Sequence, residues 1–134
     1  MSLEIGAKET IEFKVEEKDL AKNLGISSED NFPAVFATAR LVALMEASAA
    51  KVLIPLLTQG QLSVGVEVNI KHLAPTLNGD IVKATASFDG MEGKLYKFSI
   101  EAVDSFGNIG SATHTRAIVS EDRLMSGANK RAGK

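Results

Sequence analysis

The residues of this chain best able to do chemistry are an alcohol, a carboxylate and an imidazole: Thr38, Glu46 and His72. Groups of these types move protons, activate water and form covalent intermediates in enzymes. Thr38 and Glu46 lie in the apolar segment 34–57, where helical geometry separates them by roughly 80° and points both among Ala, Val, Leu and Met side chains. A buried carboxylate is costly unless it is paired, hydrogen-bonded or protonated, so Glu46 indicates a polar site on the packed side of this helix.

His72 is expected to reach the same interface from a strand. Residues 61–73 alternate, and one parity is apolar: Leu62, Val64, Val66, Val68 and Ile70. His72 falls on that parity, and alternate side chains of a strand face one side of a sheet, so it should point at the surface that packs on the helix. By itself, an inward histidine is more often a hydrogen-bonded core residue. Its convergence with Thr38 and Glu46 favours a catalytic role.

The segment 34–57 is predicted to be the central helix of a soluble domain. It is the longest apolar stretch of the chain, and its three charged residues each oppose membrane insertion by about 2.5 to 3.5 kcal/mol. Pro55 breaks its far end, which also counts against a membrane span. At the near end, Asn31 is placed to cap the helix and Pro33 suits the first helical turn.

The remaining segments mostly alternate as strands do. They predict strands at 10–15, 61–73, 81–89, 94–104 and 109–119, a short surface helix at 16–24, and a polar, frayed tail at 120–134. One long apolar helix followed by an antiparallel meander predicts a single α+β domain over residues 1–134, with a sheet of about five strands wrapped around the helix. Such a sheet has unpaired edges, and pairing them with a second copy predicts a homodimer.

Composition narrows the classes of partner. The chain has 134 residues, 45% of them hydrophobic, which is enough for one domain with a core of its own. A net charge of -2 without a block of Lys or Arg counts against nucleic acid as a partner. There is no Cys, and residues 1–9 do not read as a secretion signal, so we expect a cytoplasmic protein. The two histidines, His72 and His114, lack the spacing of metal ligands, and no metal site is expected.

Three segments resemble a known family: FPAVFATARLVALME at 32–46, KHLAPTLNGD at 71–80 and GSATHTRA at 110–117. They resemble the fluoroacetyl-CoA thioesterase family of small, hotdog-fold acyl-CoA thioesterases. The resemblance covers most of residues 5–120 and implies a hotdog subunit. It also implies a catalytic set, which matches Thr38, Glu46 and His72 in this chain.

The resemblance also implies substrate-binding roles. From position alone, Phe32 is either a lid or a hydrophobic staple at the helix start, and Gly65 marks either a bulge, a close approach by a ligand or plain packing. The family has a lid aromatic that matches Phe32, a glycine near the thioester that matches Gly65, and a late arginine that matches Arg116. After the Glu, the dedicated fluoroacetyl enzyme has a bulkier aromatic side chain. This chain has Ala47, Ser48 and Ala49, which suggests a differently shaped acyl pocket.

The implied activity is hydrolysis of a short-chain acyl-CoA thioester to free acid and CoA. CoA would be part of the substrate, and no separate cofactor is expected. In this hypothesis Glu46 is the nucleophile or the base that positions water, His72 assists proton transfer, and Thr38 hydrogen-bonds Glu46 or the attacking oxygen. The alternative is a hotdog module that binds acyl-CoA or a related metabolite without catalysis. A purely structural protein would leave Glu46 as an unexplained carboxylate on the core side of a helix.

Overall fold

A 16-residue helix, α1, packs against one face of a five-stranded antiparallel sheet. The computed structural model describes residues 3–134, in which the elements are β1 Lys8–Lys14, α1 Thr38–Leu53, β2 Gln61–His72, β3 Ile81–Glu92, β4 Leu95–Asp104, β5 Gly107–Ser120 and α2 Glu121–Arg131. Short 3-10 turns occupy Glu17–Asp19, Ala21–Asn23 and Ile54–Leu56. The expected α+β hotdog fold, an antiparallel sheet of five strands around one long central helix, is confirmed.

The strands are ordered β1-β3-β4-β5-β2 across the sheet. The last three strands form the expected meander, because β3, β4 and β5 pair with their neighbours in sequence. β2 instead pairs with β5 at the far edge, antiparallel, with His72 opposite Gly110. This topology puts the strand that carries His72 at one edge of the sheet.

The apolar side of α1 holds the helix against the sheet. Leu41, Met45 and Ala49 recur every four residues and are essentially fully buried. They belong to one core cluster with the inward residues of β3 and β4, among them Val82, Ala84, Ala86, Phe98, Ile100 and Ala102. Burying a large aliphatic side chain contributes about 1.5 to 3 kcal/mol. This packing fixes the orientation of every other side chain on α1, including the polar ones.

The helix begins later than the sequence predicted. α1 starts at Thr38 after an extended N-cap, Ala37, so the expected cap at Asn31 and first-turn Pro33 are wrong. The backbone just before the helix makes hydrogen bonds to distant segments: Phe36 N–H donates to Thr76 O at 2.8 Å, and Ala37 N–H donates to Asp19 O at 3.0 Å. These long-range bonds hold the segment extended, and they place Thr38 on the first turn of the helix.

A β-bulge reverses the faces of β2 partway along. Gly65 pairs with Arg116 and Glu67 pairs with Thr115, so Val66 is an inserted residue. Beyond the bulge Val68, Ile70 and His72 face inward as predicted, since their partners on β5 are buried. Before it Ser63 and Gly65 face inward, and the expectation that Leu62, Val64 and Val66 face the helix is wrong. The bulge could not be predicted, because apolar residues alternate with other residues across 61–73 as they do in a regular strand.

Two further segments differ from their predictions. Residues 16–24 form two 3-10 turns instead of one short helix, and their buried Asp19 ties them to the rest of the chain. The tail is helical over Glu121–Arg131, where frayed chain was expected. Ser120 caps this helix by accepting from Arg123 N–H, acidic residues occupy its first turn and basic residues its last, an arrangement that favours a helix without burial. Among the described residues, no helix is long and apolar enough to cross a membrane.

Candidate active site

Thr38 and His72 form a hydrogen-bonded pair where α1 begins and β2 ends. Thr38 Oγ1 lies 2.8 Å from His72 Nδ1. Burial lowers the pKa of His72 below its usual value of 6.5, so the imidazole is neutral at neutral pH. Its Nε2 is buried and, within residues 3–134, has no hydrogen-bond partner. The pair is therefore an alcohol beside a neutral imidazole.

This pair lines a cavity of about 500 Å³ whose other walls are mainly apolar. The lining includes Leu24, Phe32, Val35, Phe36, Leu73 and Pro75. Phe32 is 48% exposed and lies outside the first turn of the helix, so it is not a staple onto α1. Phe36 is buried against Phe13 at the position before the N-cap, with ring centroids 5.8 Å apart. Phe32 is thus an exposed aromatic in the wall of the cavity.

Glu46 lies in a second polar cluster, on the side of α1 that faces β2 and β5. Its Oε2 is 3.3 Å from Arg116 Nη1 and 4.0 Å from His114 Nε2. The Glu46 side chain is 37% exposed and Arg116 only 8%. Arg116 also donates from Nε to Ser63 Oγ at 3.0 Å and from Nη2 to Ser63 O at 2.9 Å. A guanidinium held by Ser63 thus donates a hydrogen bond to the Glu46 carboxylate.

Gly65 permits the close approach between this carboxylate and β2. A Cβ at Gly65 would overlap Glu46 Oε2 and would lie 3.3 Å from His114 Cε1. The bulge that follows turns this residue inward, opposite Arg116. Of the interpretations left open from sequence, the structure has both a bulge and a close approach, here by the Glu46 side chain.

The expected single crevice is divided in two within one chain. Thr38 and His72 meet, but Glu46 is eight residues further along α1, a rise of roughly 12 Å. In the part of the chain that the structure describes, the hydrogen bond to Glu46 comes from Arg116 and not from Thr38 or His72. The substrate-binding candidates divide likewise: Phe32 lies with the first pair, and Gly65 and Arg116 lie with Glu46.

Sequence reasoning missed several residues of these clusters. The sequence gives His114 no predicted role, although its spacing of two residues from Arg116 on a predicted strand puts the two side chains on one face. Asp19 was assigned to a surface helix but is 1% exposed; its Oδ1 lies 3.4 Å from Arg40 Nε and its backbone oxygen accepts from Ala37. Asp19 thereby anchors the start of α1. No sequence signal indicated this contact.

The described residues contain no group of three or more His, Asp or Glu side chains placed to hold a metal ion. The side chains of the two clusters offer an imidazole at His72, a hydroxyl at Thr38 and a carboxylate beside a guanidinium at Glu46.

Solved structures with this architecture are thioesterases and hotdog proteins. A variant of the fluoroacetyl-CoA-specific thioesterase FlK, in complex with fluoroacetate and CoA, is 31% identical with a TM-score of 0.86, and the match covers 91% of this chain and 99% of that one. A hot-dog-like protein from Thermanaerovibrio acidaminovorans is 29% identical with a TM-score of 0.83, covering 96% and 93% of the two chains. The fold and these similarities define a hotdog-fold thioester hydrolase.

The family can also be stated. The family described as "FlK: Fluoroacetyl-CoA-specific thioesterase" matches residues 15–122. The fluoroacetyl-CoA thioesterase of Streptantibioticus cattleyicolor is 33% identical over 119 residues, which cover 87% of this chain and 86% of that protein. This chain belongs to the fluoroacetyl-CoA-specific thioesterase family, and the resemblance inferred from its sequence segments is confirmed.

Proposed function

We propose that the chain hydrolyses short-chain acyl-CoA thioesters to the free acid and CoA, with Thr38, Glu46 and His72 as catalytic residues. The observation that carries the proposal is the Thr38–His72 hydrogen bond in the wall of the 500 Å³ cavity. Apolar cavities of roughly 300 to 1,000 Å³ with a few polar groups are typical of small-molecule sites. A family relative has been solved with CoA, which supports an acyl-CoA as the substrate. CoA enters as part of the substrate, and we propose no separate cofactor.

The start of α1 suits a developing oxyanion. The N-cap, Ala37, offers no side-chain cap, and the first backbone N–H groups of a helix have no partner within the helix. Thr38 and Ala39, which carry two of these groups, line the cavity. A thioester carbonyl placed there would receive N–H donors and the positive end of the helix dipole. Neutral His72 beside it would take a proton from water or return one to the departing thiolate.

In the same proposal, Glu46 attacks the thioester carbonyl or activates the water that does so. Its contact with Arg116 supports this role, because a guanidinium donor within hydrogen-bond distance orients the carboxylate. Gly65 supports it too, since the missing side chain leaves room at the carboxylate. Phe32 would close over the acyl group from the cavity wall.

A homodimer would bring the two clusters together, and we propose that each site is shared between copies. β2 is an edge strand, and within residues 3–134 only β5 pairs with it. Pairing two β2 strands antiparallel about an axis through Asn69, with Val66 left unpaired as the inserted residue, would place His72 of one copy opposite Gly65 of the other. Glu46 of that copy contacts Gly65, so the carboxylate would then lie beside the imidazole.

The exposed side of α1 fits the same arrangement. It carries small side chains at Ala39, Ala43 and Ala47, at the four-residue spacing of one helix face. A solvent-facing helix usually carries charged residues there, whereas small residues allow another element to approach closely. This face therefore favours a close contact with a second copy.

Release of free thiol from acetyl-CoA and a panel of short acyl-CoA esters tests the activity. Glu46→Gln and His72→Ala should each lower turnover by about 10² or more, and Thr38→Val should lower it by about tenfold or more. Thr113→Ala, on the exposed outer face of the same sheet, is the matched control and should leave turnover unchanged. Near wild-type turnover in both Glu46→Gln and His72→Ala would remove the catalytic assignment. Tight acyl-CoA binding without thiol release would favour the non-catalytic hotdog module instead.

A further inference from the structure

His114 is a buried titratable residue that the proposed reaction does not use. It lies on the inner face of β5, 2% exposed, between β2 and β4. Its ring lies beside the candidate carboxylate and the guanidinium that contacts it: Nε2 is 3.2 Å from Arg116 Nη1 and 4.0 Å from Glu46 Oε2. Both nitrogens of the His114 ring are engaged, and one of them contacts the guanidinium of the Glu46 cluster.

The two contacts fix the tautomer of this ring. His114 Nδ1 lies 2.7 Å from Glu67 O, and a carbonyl oxygen only accepts, so Nδ1 carries the proton. Arginine only donates, so Nε2 must be the bare nitrogen that accepts from Arg116. Burial lowers the pKa of His114, which agrees with a neutral ring. A proton on Nε2 would face the guanidinium cation and break this hydrogen bond.

The guanidinium of Arg116 has one nitrogen that Ser63 does not hold. Nε and Nη2 donate to the side chain and backbone of Ser63, and these bonds set the plane of the group. Nη1 remains, and it lies between Glu46 Oε2 and His114 Nε2. These two acceptors and the two bonds to Ser63 together hold Nη1 in place.

We propose that His114 is a positioning residue, which acts as a neutral Nδ1-protonated imidazole and holds Arg116 Nη1 against the carboxylate of Glu46. It does not touch the substrate. Its effect passes through Arg116 to Glu46, so this inference rests on the catalytic role proposed for that carboxylate. Fixed orientation of a catalytic group contributes strongly to rate, because small misplacements lower turnover.

Two substitutions test the hydrogen bonds of the two ring nitrogens separately. His114→Gln places an acceptor near the position of Nε2, and His114→Asn keeps only a donor near that of Nδ1. We expect His114→Asn to lower kcat by about tenfold or more with KM changed less than about threefold, and His114→Gln to retain at least about a third of wild-type kcat. Equal losses in the two variants would overturn the proposal.

The background of Glu46→Gln distinguishes positioning from a general effect on the fold. If His114 acts through Glu46, adding His114→Asn to Glu46→Gln should lower the residual rate by less than about twofold. The same tenfold factor in both backgrounds would show that His114 is merely structural. Wild-type turnover in Glu46→Gln would instead remove the catalytic role proposed for Glu46, so the two failures are distinguishable.

A measurement on the unmodified protein keeps the proposal testable if His114→Asn fails to fold. Nitrogen-15 NMR of the imidazole rings at neutral pH should show His114 protonated at Nδ1 and bare at Nε2. A ring protonated at Nε2, or at both nitrogens, would overturn the proposal whatever the kinetics of the variants.

Discussion

Mixing two inactive variants gives the sharpest test of a shared site. The proposed dimer joins Glu46 of one copy to His72 of the other. In a dimer of one Glu46→Gln chain and one His72→Ala chain, one site then contains both substitutions and the other contains none. If each site used residues of a single chain, every site in that mixed dimer would carry one substitution. The two arrangements therefore predict opposite outcomes from the same mixture.

The expected recovery follows from counting sites. Along α1, Thr38 and Glu46 are separated by roughly 12 Å, far beyond the 2.6 to 3.2 Å that direct proton transfer requires. Random pairing of equal amounts gives mixed dimers in about half of the population, each with one intact site out of two. The mixture should then reach about a quarter of wild-type activity per chain, against 1% or less for either variant alone, taking about 10² per substitution.

The assay is simple for this chain because it has no Cys. A thiol reagent added during turnover of a short acyl-CoA reports only the released CoA. The variants are unfolded together and refolded so that the chains pair at random, and each variant refolded alone serves as the control. If the mixture contains folded mixed dimers but recovers no activity, the shared site is refuted. Glu46 and His72 would then not act in one site.

Three other perturbations follow from single contacts. Gly65→Ala places a Cβ on the carboxylate of α1 and should lower kcat by about tenfold or more with the fold intact, whereas Gly127→Ala, with open space around it, should change nothing. Asp19→Ala removes a buried acceptor and should lower the free energy of unfolding by about 1 to 3 kcal/mol, measured by denaturant titration, whereas the exposed ion-pair variant Glu12→Ala should cost less than about 1 kcal/mol. Burial lowers the pKa of both histidines below 6.5, so below that pH the unfolded chain binds more protons than the folded one. The free energy of unfolding should therefore be greatest above pH 6.5 and should fall as the pH drops below it. A free energy of unfolding that stays flat or rises as the pH drops would contradict the burial of neutral rings.

The parts of the fold that sequence could predict are those with a single strong pattern. The apolar stripe of α1 and the alternation of β3, β4 and β5 each admit one structural solution, and the sheet wrapped around the helix follows from them. Thr38 and His72 met as expected because each lies at the end of an element whose inward face the pattern identified. The start of α1 was misplaced because its backbone hydrogen bonds go to Asp19 and Thr76, which are distant in sequence.

The place of Glu46 could not be predicted for a different reason. Helical angles showed that it faces the packed side, but they give no position along the axis relative to a strand whose register is unknown. That register depends on the insertion at Val66, which reads in sequence as one more apolar residue in an alternating run. His114 and Ser63 then entered the cluster through pairing with β5, a neighbour that sequence order does not suggest.

Because of the bulge in β2, the residues of the proposed reaction lie along one edge strand of the sheet. Without the extra residue, the face carrying His72 would present Leu62 and Val64 to α1, and the buried guanidinium of Arg116 would lose both bonds to Ser63. With it, one edge strand supplies the imidazole at one end and a space for the carboxylate at the other. These two features lie seven residues apart, roughly 23 Å along a strand, so one chain cannot join them. In the proposed dimer, an antiparallel copy of the same edge would reverse the order and place each feature beside its complement, so the exposed edge of the sheet would be part of the site.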